Sequence, residues 1–299
     1  MDQNTIDAER FFGYVPSKPL AIVGAIVYGV IAVLIFARLY LSKSRKFLYI
    51  LPGTAIAELI GYAIRVVTTS QVSLGSYVGM TFFLLLSPNA LALVNYKATG
   101  EIIRLSNVEA NHFFLKPKFV TWFFFWSDFL AFFLQASGGG LQAQSDPGMF
   151  KIGQAVALVG LGAQLVFFAS FGVITYHVHH NPKYGYHVDG VTNPKEKLCR
   201  VLYVTLVLLY IRSIYRVAEY AGGRDGVVAT TEWAFYIFDG LAIALSFVFY
   251  FLFNIGAYLP KNGSIETSSA TRLQNSFDMQ NIEKGQNGRE DARMYQTNK

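Results

Sequence analysis

Apolar residues of this chain fall into seven long runs separated by short polar segments. The runs cover residues 20–41, 47–67, 77–96, 119–136, 152–176, 198–220 and 233–259. Because a helix rises about 1.5 Å per residue and the hydrocarbon core of a bilayer is about 30 Å thick, about 20 apolar residues suffice to cross it. The pattern therefore predicts an all-α polytopic membrane protein whose residues 1–260 form a seven-transmembrane-helix bundle.

Charged residues are scarce outside the last segment of the chain. Of the 299 residues, 53% are hydrophobic and only 15% are charged, against about a quarter in soluble domains. Residues 261–299 carry 11 of the charged side chains and few large apolar ones, which predicts a disordered cytosolic tail. This composition excludes a soluble enzyme and a nucleic-acid-binding protein. We expect the partners to be membrane lipids and amphiphilic small molecules, and protein partners stay open.

Basic residues are distributed unevenly among the loops between the runs. Eleven lysines and arginines lie in the first, third and fifth loops, whereas the other three loops together hold two. Because basic loops stay on the cytoplasmic side, this predicts an N-terminus outside and a C-terminus in the cytosol. We expect the plasma membrane to be the location, with the vacuolar and endoplasmic reticulum membranes as alternatives.

Ionisable side chains inside the spans are candidates for function, because a charge placed in lipid is costly. Four spans carry pairs of polar residues seven positions apart, which is close to two helical turns, so both members share one face. The pairs are Glu58 with Arg65, Asp128 with Gln135, Arg212 with Glu219, and Glu232 with Asp239; Tyr62 and Arg216 share the faces of Glu58 and Arg212, and Gln164 lies in the fifth span. These residues predict a polar path for a head group through the bundle.

The predicted depths of these groups favour one chamber in the outer half of the membrane. The set holds three arginines and five carboxylates. Since arginine keeps its proton, the excess negative charge requires water, a bound cation or a protonated carboxyl group. We therefore expect a carboxylate-rich chamber that suits a cationic head group or proton coupling. An equal alternative for four of these residues is that they only connect neighbouring helices near the membrane–water interface. They are Arg65, Arg216, Glu219 and Glu232.

Proline and glycine residues indicate hinges. Pro88 is expected to interrupt the third span and to free a backbone carbonyl that Asn89 or water satisfies. At the end of the fourth span, three consecutive glycines predict a flexible cap or an anion-binding nest. These glycines are Gly138, Gly139 and Gly140.

Neither a cofactor nor a resident metal is expected from the sequence. The one cysteine, Cys199, excludes a disulfide framework and a multi-thiolate metal site. His177, His179 and His180 end the fifth span and His187 follows it. A metal or porphyrin site there is an alternative, but His177 and His179 point to different faces of a helix.

Several motifs, in order along the chain, resemble those of one known family. They are Glu58-Leu-Ile-Gly61-Tyr62-Ala-Ile-Arg65; Asp128 with Gln135 and Gly138-Gly139-Gly140; Gly160-Leu-Gly162-Ala-Gln164; and Arg212, Tyr215-Arg216-Val-Ala-Glu219-Tyr220, Gly223, Gly226, Glu232 and Asp239. Over residues 12–260 the chain resembles the fungal RTA-like family, also called lipid-translocating exporters. The third span departs from the family pattern, with Ser87-Pro88-Asn89 in place of Ala-Pro-Ala.

The resemblance implies a seven-span, N-out fungal membrane protein without catalytic residues. It implies the export or translocation of sphingoid long-chain bases, resistance to toxic amphiphiles such as aminosterols and azoles, and, in one branch, porphyrin uptake. We expect a translocator of this kind rather than an enzyme. A seven-helix lipid sensor or receptor that regulates resistance without transport is the first alternative, and an intramembrane zinc hydrolase is the second.

Overall fold

The computed structural model describes residues 12–106, 116–142, 146–188, 190–223 and 226–259. Seven helices in these ranges are long and apolar enough to cross a membrane, which confirms the predicted fold class. They are α1 (Lys18–Leu41), α2 (Lys46–Thr68), α3 (Leu74–Leu105), α4 (Pro117–Gln142), α5 (Pro147–His180), α6 (Pro194–Gly222) and α7 (Glu232–Ala257). The tail predicted for residues 261–299 lies outside the described residues.

The helix ends follow local sequence signals. Proline opens α4, α5 and α6, where its fixed φ suits the first turn and its missing N–H costs nothing. The Asp146 carboxylate accepts hydrogen bonds from the backbone N–H groups of Gly148 and Met149 at the start of α5. Ser73 and Ser76 form a reciprocal capping box at the start of α3. These signals fix where α3, α4, α5 and α6 begin.

Two spans are not uniform α-helices. In α2 a 3₁₀ turn over Lys46–Tyr49 precedes the α-helix Ile50–Thr68. In α7 a short helical turn leads into a π-helix over Phe235–Leu241, which continues as the α-helix Ala242–Leu252.

The helices pack in chain order around a ring that α1 and α7 close, and α3 also contacts α5 and α6 across the interior. Of the seven spans, α1 is the least buried. Its outward face exposes large apolar residues such as Val23, Ile26 and Val33, as expected beside lipid. We call the end where α1 begins the N-terminal end of the bundle.

Helices α4 and α5 approach closely at glycines. A Cβ built on Gly138 would lie 2.5 Å from the carbonyl oxygen of Gly153, and one built on Gly153 would lie 2.5 Å from the oxygen of Gly138. Small residues at such crossings let helix backbones make close contact in lipid. The nest expected at Gly138, Gly139 and Gly140 is not formed, because α4 continues as a regular helix through all three to Gln142.

Candidate functional site

The centre of the site is an ionic network between α6 and α7. Asp239 is shared by two arginines one turn apart: its Oδ1 lies 2.7 Å from Arg212 Nε, and its Oδ2 accepts from Arg216 Nη2 at 2.8 Å. Arg216 also donates through Nε to Asp239 Oδ1 and through Nη1 to Glu219 Oε2, at 3.1 and 2.9 Å. Two guanidinium groups and two carboxylates thus neutralise one another inside the bundle.

Asp239 lies in the π-helical part of α7. The wider turn over Phe235–Leu241 removes some α-helical bonding, and the carbonyl oxygen of Gly240 accepts a hydrogen bond from Tyr28 of α1 at 2.6 Å. π-Helical turns are rare and frequently coincide with functional sites. The sequence pattern did not reveal this turn, because an apolar run reads the same in either helix type.

Arg212 also reaches α3. The ring of Pro88 has no N–H for the carbonyl oxygen of Leu84, four residues earlier, and Arg212 Nη2 donates to that oxygen at 3.2 Å. The prediction that Asn89 or water satisfies the freed carbonyl is therefore wrong, since Asn89 donates to the oxygen of Leu85 instead. The expected interruption is also absent, because α3 continues unbroken past Pro88.

Arg65 forms a second charged centre at the N-terminal end of the bundle. Its Nη2 donates to the hydroxyl of Tyr14 at 2.9 Å and to Glu232 Oε1 at 3.2 Å, and its Nε donates to the hydroxyl of Tyr236 at 3.2 Å. The guanidinium carbon lies 4.5 Å from the centre of the Phe235 ring, a cation–π contact. Burial raises the pKa of Tyr14, while the neighbouring Arg65 opposes that shift. Arg65 thus joins α2, α7 and the segment before α1.

A cavity of about 110 Å³ opens between these two centres. Its charged lining residues are Arg65, Arg216 and Glu219, and uncharged polar residues, three of them tyrosines, join them. The full lining is Phe12, Gly13, Tyr14, Arg65, Tyr77, Met80, Thr81, Leu84, Gly139, Gln142, Phe150, Arg216, Glu219, Tyr220, Gly223, Ala229 and Phe235. Helices α2 to α7 all contribute, whereas α1 does not. We call this cavity the N-terminal pocket.

The N-terminal pocket gathers only part of the predicted set. Arg65, Arg216, Glu219 and Gly139 line it. The lining does not include Glu58, Tyr62, Pro88, Asp128, Gln135, Gly138, Gly140, Gln164, Arg212, Glu232 or Asp239. The expectation of a single chamber is therefore wrong, because Asp128, Gln135 and Arg212 form their hydrogen bonds and ion pairs at other places in the bundle.

The expected excess of carboxylates in the pocket is also wrong. Its described lining contains two arginines and one glutamate. The other nearby carboxylates are occupied by arginines, Glu232 by Arg65 and Asp239 by Arg212 and Arg216. The sequence gives the number of charges but does not show which of them pair.

Glu58 and Tyr62 lie next to the network, on the inner face of α2. Glu58 is fully buried, its Oε1 has no hydrogen-bond partner, and Arg212 and Asp239 lie within electrostatic range. The Tyr62 ring stacks on Tyr28 with 5.3 Å between ring centres. This arrangement places a carboxyl group beside the Arg212–Asp239 pair without joining the pair.

The predicted glutamines form a separate chain of hydrogen bonds. Gln135 of α4 donates to Gln164 of α5 at 2.8 Å, and Gln164 donates to Asn89 of α3 at 2.8 Å. All three helices are therefore tied together beside Pro88. Such amide bridges between helices hold a bundle together in lipid, where unpaired amides are costly.

Among the described residues, no arginine forms an ion pair or hydrogen bond with Asp128. Its Oδ2 accepts a hydrogen bond from Tyr96 of α3 at 2.5 Å, and its Oδ1 has no partner. The rings of Tyr96, Phe124 and Phe171 pack on one another beside it, with ring centres 4.6 to 5.6 Å apart. This buried carboxyl group therefore occupies an aromatic environment.

Several residues of the site were not singled out by the sequence reasoning. Tyr14, Tyr77 and Tyr220 bring hydroxyls to the pocket, and Tyr236 holds Arg65. The 18 tyrosines of the chain are too common along its spans for any one to stand out. Tyr220 is the exception, because the motif Tyr215-Arg216-Val-Ala-Glu219-Tyr220 already contained it.

The histidine alternative finds no supporting geometry. His177 and His179 make ring contacts with Tyr184 and Tyr203, on different neighbours. Across the described ranges, no three His, Cys, Asp or Glu side chains lie close enough together to hold a metal ion.

Comparison with known proteins gives a consistent set of relatives. The profile of the family described as RTA1 like protein matches residues 52–262. The chain is 28% identical to Protein RTM1 of Saccharomyces cerevisiae over 68% of its length and 64% of that protein's. It is 27% identical to Protoporphyrin uptake protein 1 of Saccharomyces cerevisiae, over 68% of its length and 66% of the relative's. The matches thus span less than two thirds of either relative.

A longer match covers more of both chains. The chain is 25% identical to the Sphingoid long-chain base transporter RSB1 of Saccharomyces cerevisiae, over 82% of its length and 73% of that protein's. No solved structure matches significantly.

Proposed function

This chain belongs to the RTA1-like family of fungal membrane proteins, and from that premise we propose that it translocates amphiphilic lipids or toxic amphiphiles across the membrane. Relatives named as a lipid transporter, a sphingoid long-chain base transporter and a protoporphyrin uptake protein support a role related to the transport of lipids or similar compounds. Its seven apolar helices identify it as an integral multi-pass membrane protein.

The observation that carries the proposal is the N-terminal pocket. Its walls combine aromatic rings, among them Phe12, Phe150 and Phe235, with the charged groups of Arg65 and Glu219. A concave site with apolar walls and few polar groups suits a molecule that has a compact polar head and an apolar body. Because the pocket lies at one end of a bundle whose outer faces are apolar, an alkyl chain can extend toward lipid while the head is bound.

The polar groups of the pocket include one acceptor for an amine and one donor for a hydroxyl group. Glu219 keeps 22% of its side chain exposed and can accept from an ammonium group. Among the described residues, the acceptor of Arg65 Nη1 is the Met80 thioether sulfur, at 4.0 Å, so a hydroxyl oxygen would be a better acceptor for this donor. We propose a sphingoid long-chain base as the substrate. Aminosterols and porphyrins are further candidate substrates.

The remaining polar residues are proposed to form the path beyond the pocket. Next to Arg216, further from the pocket, lie Asp239, Arg212 and Glu58. We propose further that the pocket faces the outside of the plasma membrane, with the tail in the cytosol. The proposal includes no catalytic step.

A flux assay tests the function. Purified protein is reconstituted in liposomes, and the movement of a labelled long-chain base is followed. Glu219→Gln is expected to lower the flux about tenfold or more, since a charge-assisted hydrogen bond contributes about 1.5–3 kcal/mol. Glu101→Gln is the matched control, because Glu101 pairs with Arg45 and Arg104 at the opposite end of the bundle. Binding without flux would instead indicate the lipid sensor.

A further inference from the structure

Asp128 is a buried carboxyl group that lacks a cation. Only 3% of the Asp128 surface is exposed. Helix α4 packs against α3 and α5, and among the described residues Tyr96 of α3 is the one titratable or charged group that acts on Asp128. Arg65 of α2 pairs with Glu232, and Arg212 and Arg216 of α6 pair with Asp239 and Glu219. The other deep carboxyl group, Glu58, differs because Arg212 lies within electrostatic range of it.

An ionised carboxylate in such surroundings is unfavourable. A buried charge is tolerated when it is paired or fully hydrogen-bonded, and otherwise the group takes up a proton. Tyr96 donates to Oδ2, and Oδ1 has no hydrogen-bond partner. Of the two carboxyl oxygens, Oδ1 is therefore the one that no described side chain occupies.

The aromatic rings beside Asp128 add a second property. Tyr96, Phe124 and Phe171 are almost completely buried and pack against one another. Ring faces attract ammonium groups, and aromatic cages recognise quaternary ammonium ligands. A cationic amine could therefore replace the proton as the partner of Asp128.

We propose that Asp128 is a proton-binding site of the bundle and that it exchanges its proton for a cationic amine. In the resting protein the O–H bond at Oδ1 is intact and Tyr96 donates to Oδ2. When an ammonium group arrives, that O–H bond breaks, the proton leaves to water, and the carboxylate pairs with the ammonium ion. The exchange half of the proposal rests on the proposed function, because it requires an amine-bearing substrate. The proton site itself does not.

Infrared spectroscopy of the full-length protein in liposomes at pH 7 tests the proton site. The wild type is expected to show the carbonyl stretching band of a protonated carboxyl group, which Asp128→Asn loses and Glu58→Gln keeps. Asp146→Asn serves as the folding control, since asparagine also caps a helix. If the wild type and Asp128→Asn gave identical spectra in the range of the protonated-carboxyl band, the proposal would be overturned.

Proton release tests the exchange. A long-chain trimethylammonium ion, whose charge is fixed, is added to purified protein in weakly buffered detergent with a pH indicator. The wild type is expected to release about one proton for each ion bound, and Asp128→Asn to release none. Binding without release, or no binding, would overturn the exchange. Liposome flux without proton release overturns this inference alone, whereas absence of flux overturns the proposed function and leaves the infrared result to decide the proton site.

Discussion

Arg212 donates to the backbone carbonyl of Leu84, the oxygen that Pro88 leaves without a helical donor, at 3.2 Å. One guanidinium group therefore joins a proline-modified turn of α3 to the π-helical turn of α7 through Asp239. One side chain thus links α3 to α7 across the bundle.

Arg212→Lys tests this link. Lysine keeps the charge beside Asp239, but its compact ammonium group cannot reach both partners in the planar geometry of a guanidinium group. We expect the free energy of unfolding to fall by about 1–3 kcal/mol, as measured by denaturant unfolding in detergent micelles. Arg200→Lys, at an exposed pair on α6, is the control and should change little. Equal stability of the two variants would contradict the link.

Asp239→Asn should be the most damaging conservative change in the network. It leaves Arg212 and Arg216 with one carboxylate fewer in a buried site, and breaking a buried ion pair costs about 3–5 kcal/mol. We expect a large drop in the thermal unfolding midpoint and loss of flux. Glu101→Gln, which removes a carboxylate near the other end of the bundle, should lower the midpoint much less. A mild effect at Asp239 would show that water replaces the lost charge.

Tyr28→Phe tests the π-helical turn. The change removes the hydroxyl that donates to the Gly240 oxygen, so we expect a loss of about 0.5–1.5 kcal/mol in stability. Hydrogen exchange should increase at Phe235–Leu241 more than elsewhere in α7. Tyr40→Phe on the exposed face of α1 is the matched control, and faster exchange there as well would argue against a local role.

Gly138→Ala and Gly140→Ala form a matched pair on α4. A Cβ at Gly138 would meet the backbone of α5 at 2.5 Å, whereas one at Gly140 meets nothing within 4 Å. Overpacking costs about 1–3 kcal/mol, and an alanine in an open helical position gains up to about 1 kcal/mol over glycine. The two variants should therefore shift the unfolding midpoint in opposite directions, and shifts of the same sign would contradict the close crossing.

The seven spans could be predicted because length and apolar composition decide whether a helix crosses a bilayer. The seven-residue spacing also placed Glu58, Arg65, Asp128, Arg212 and Asp239 on interior faces, and all five are buried. Periodicity gives the face of a helix, since that depends only on residues of the same helix. Orientation and the cytosolic tail remain predictions.

The partners of these residues could not be predicted, because pairing depends on how helices distant in sequence pack. Nothing in the run around Asp239 indicates a π-helical turn, which Tyr28 supports from α1. The single chamber was wrong for the same reason. Asp128 accepts from Tyr96 of α3 rather than from an arginine, and the Leu84 carbonyl that Pro88 leaves free accepts from Arg212 of α6.

The pairing of three arginines with three carboxylates has an electrical consequence. Arg65, Arg212 and Arg216 balance Glu219, Glu232 and Asp239, so these six groups together carry no net charge. Moving one elementary charge across a membrane potential of 100 mV is worth about 2.3 kcal/mol, and a neutral set gains none of it. Rearrangement of the network as a unit should therefore be insensitive to voltage, and any voltage dependence must come from the cargo or from a proton.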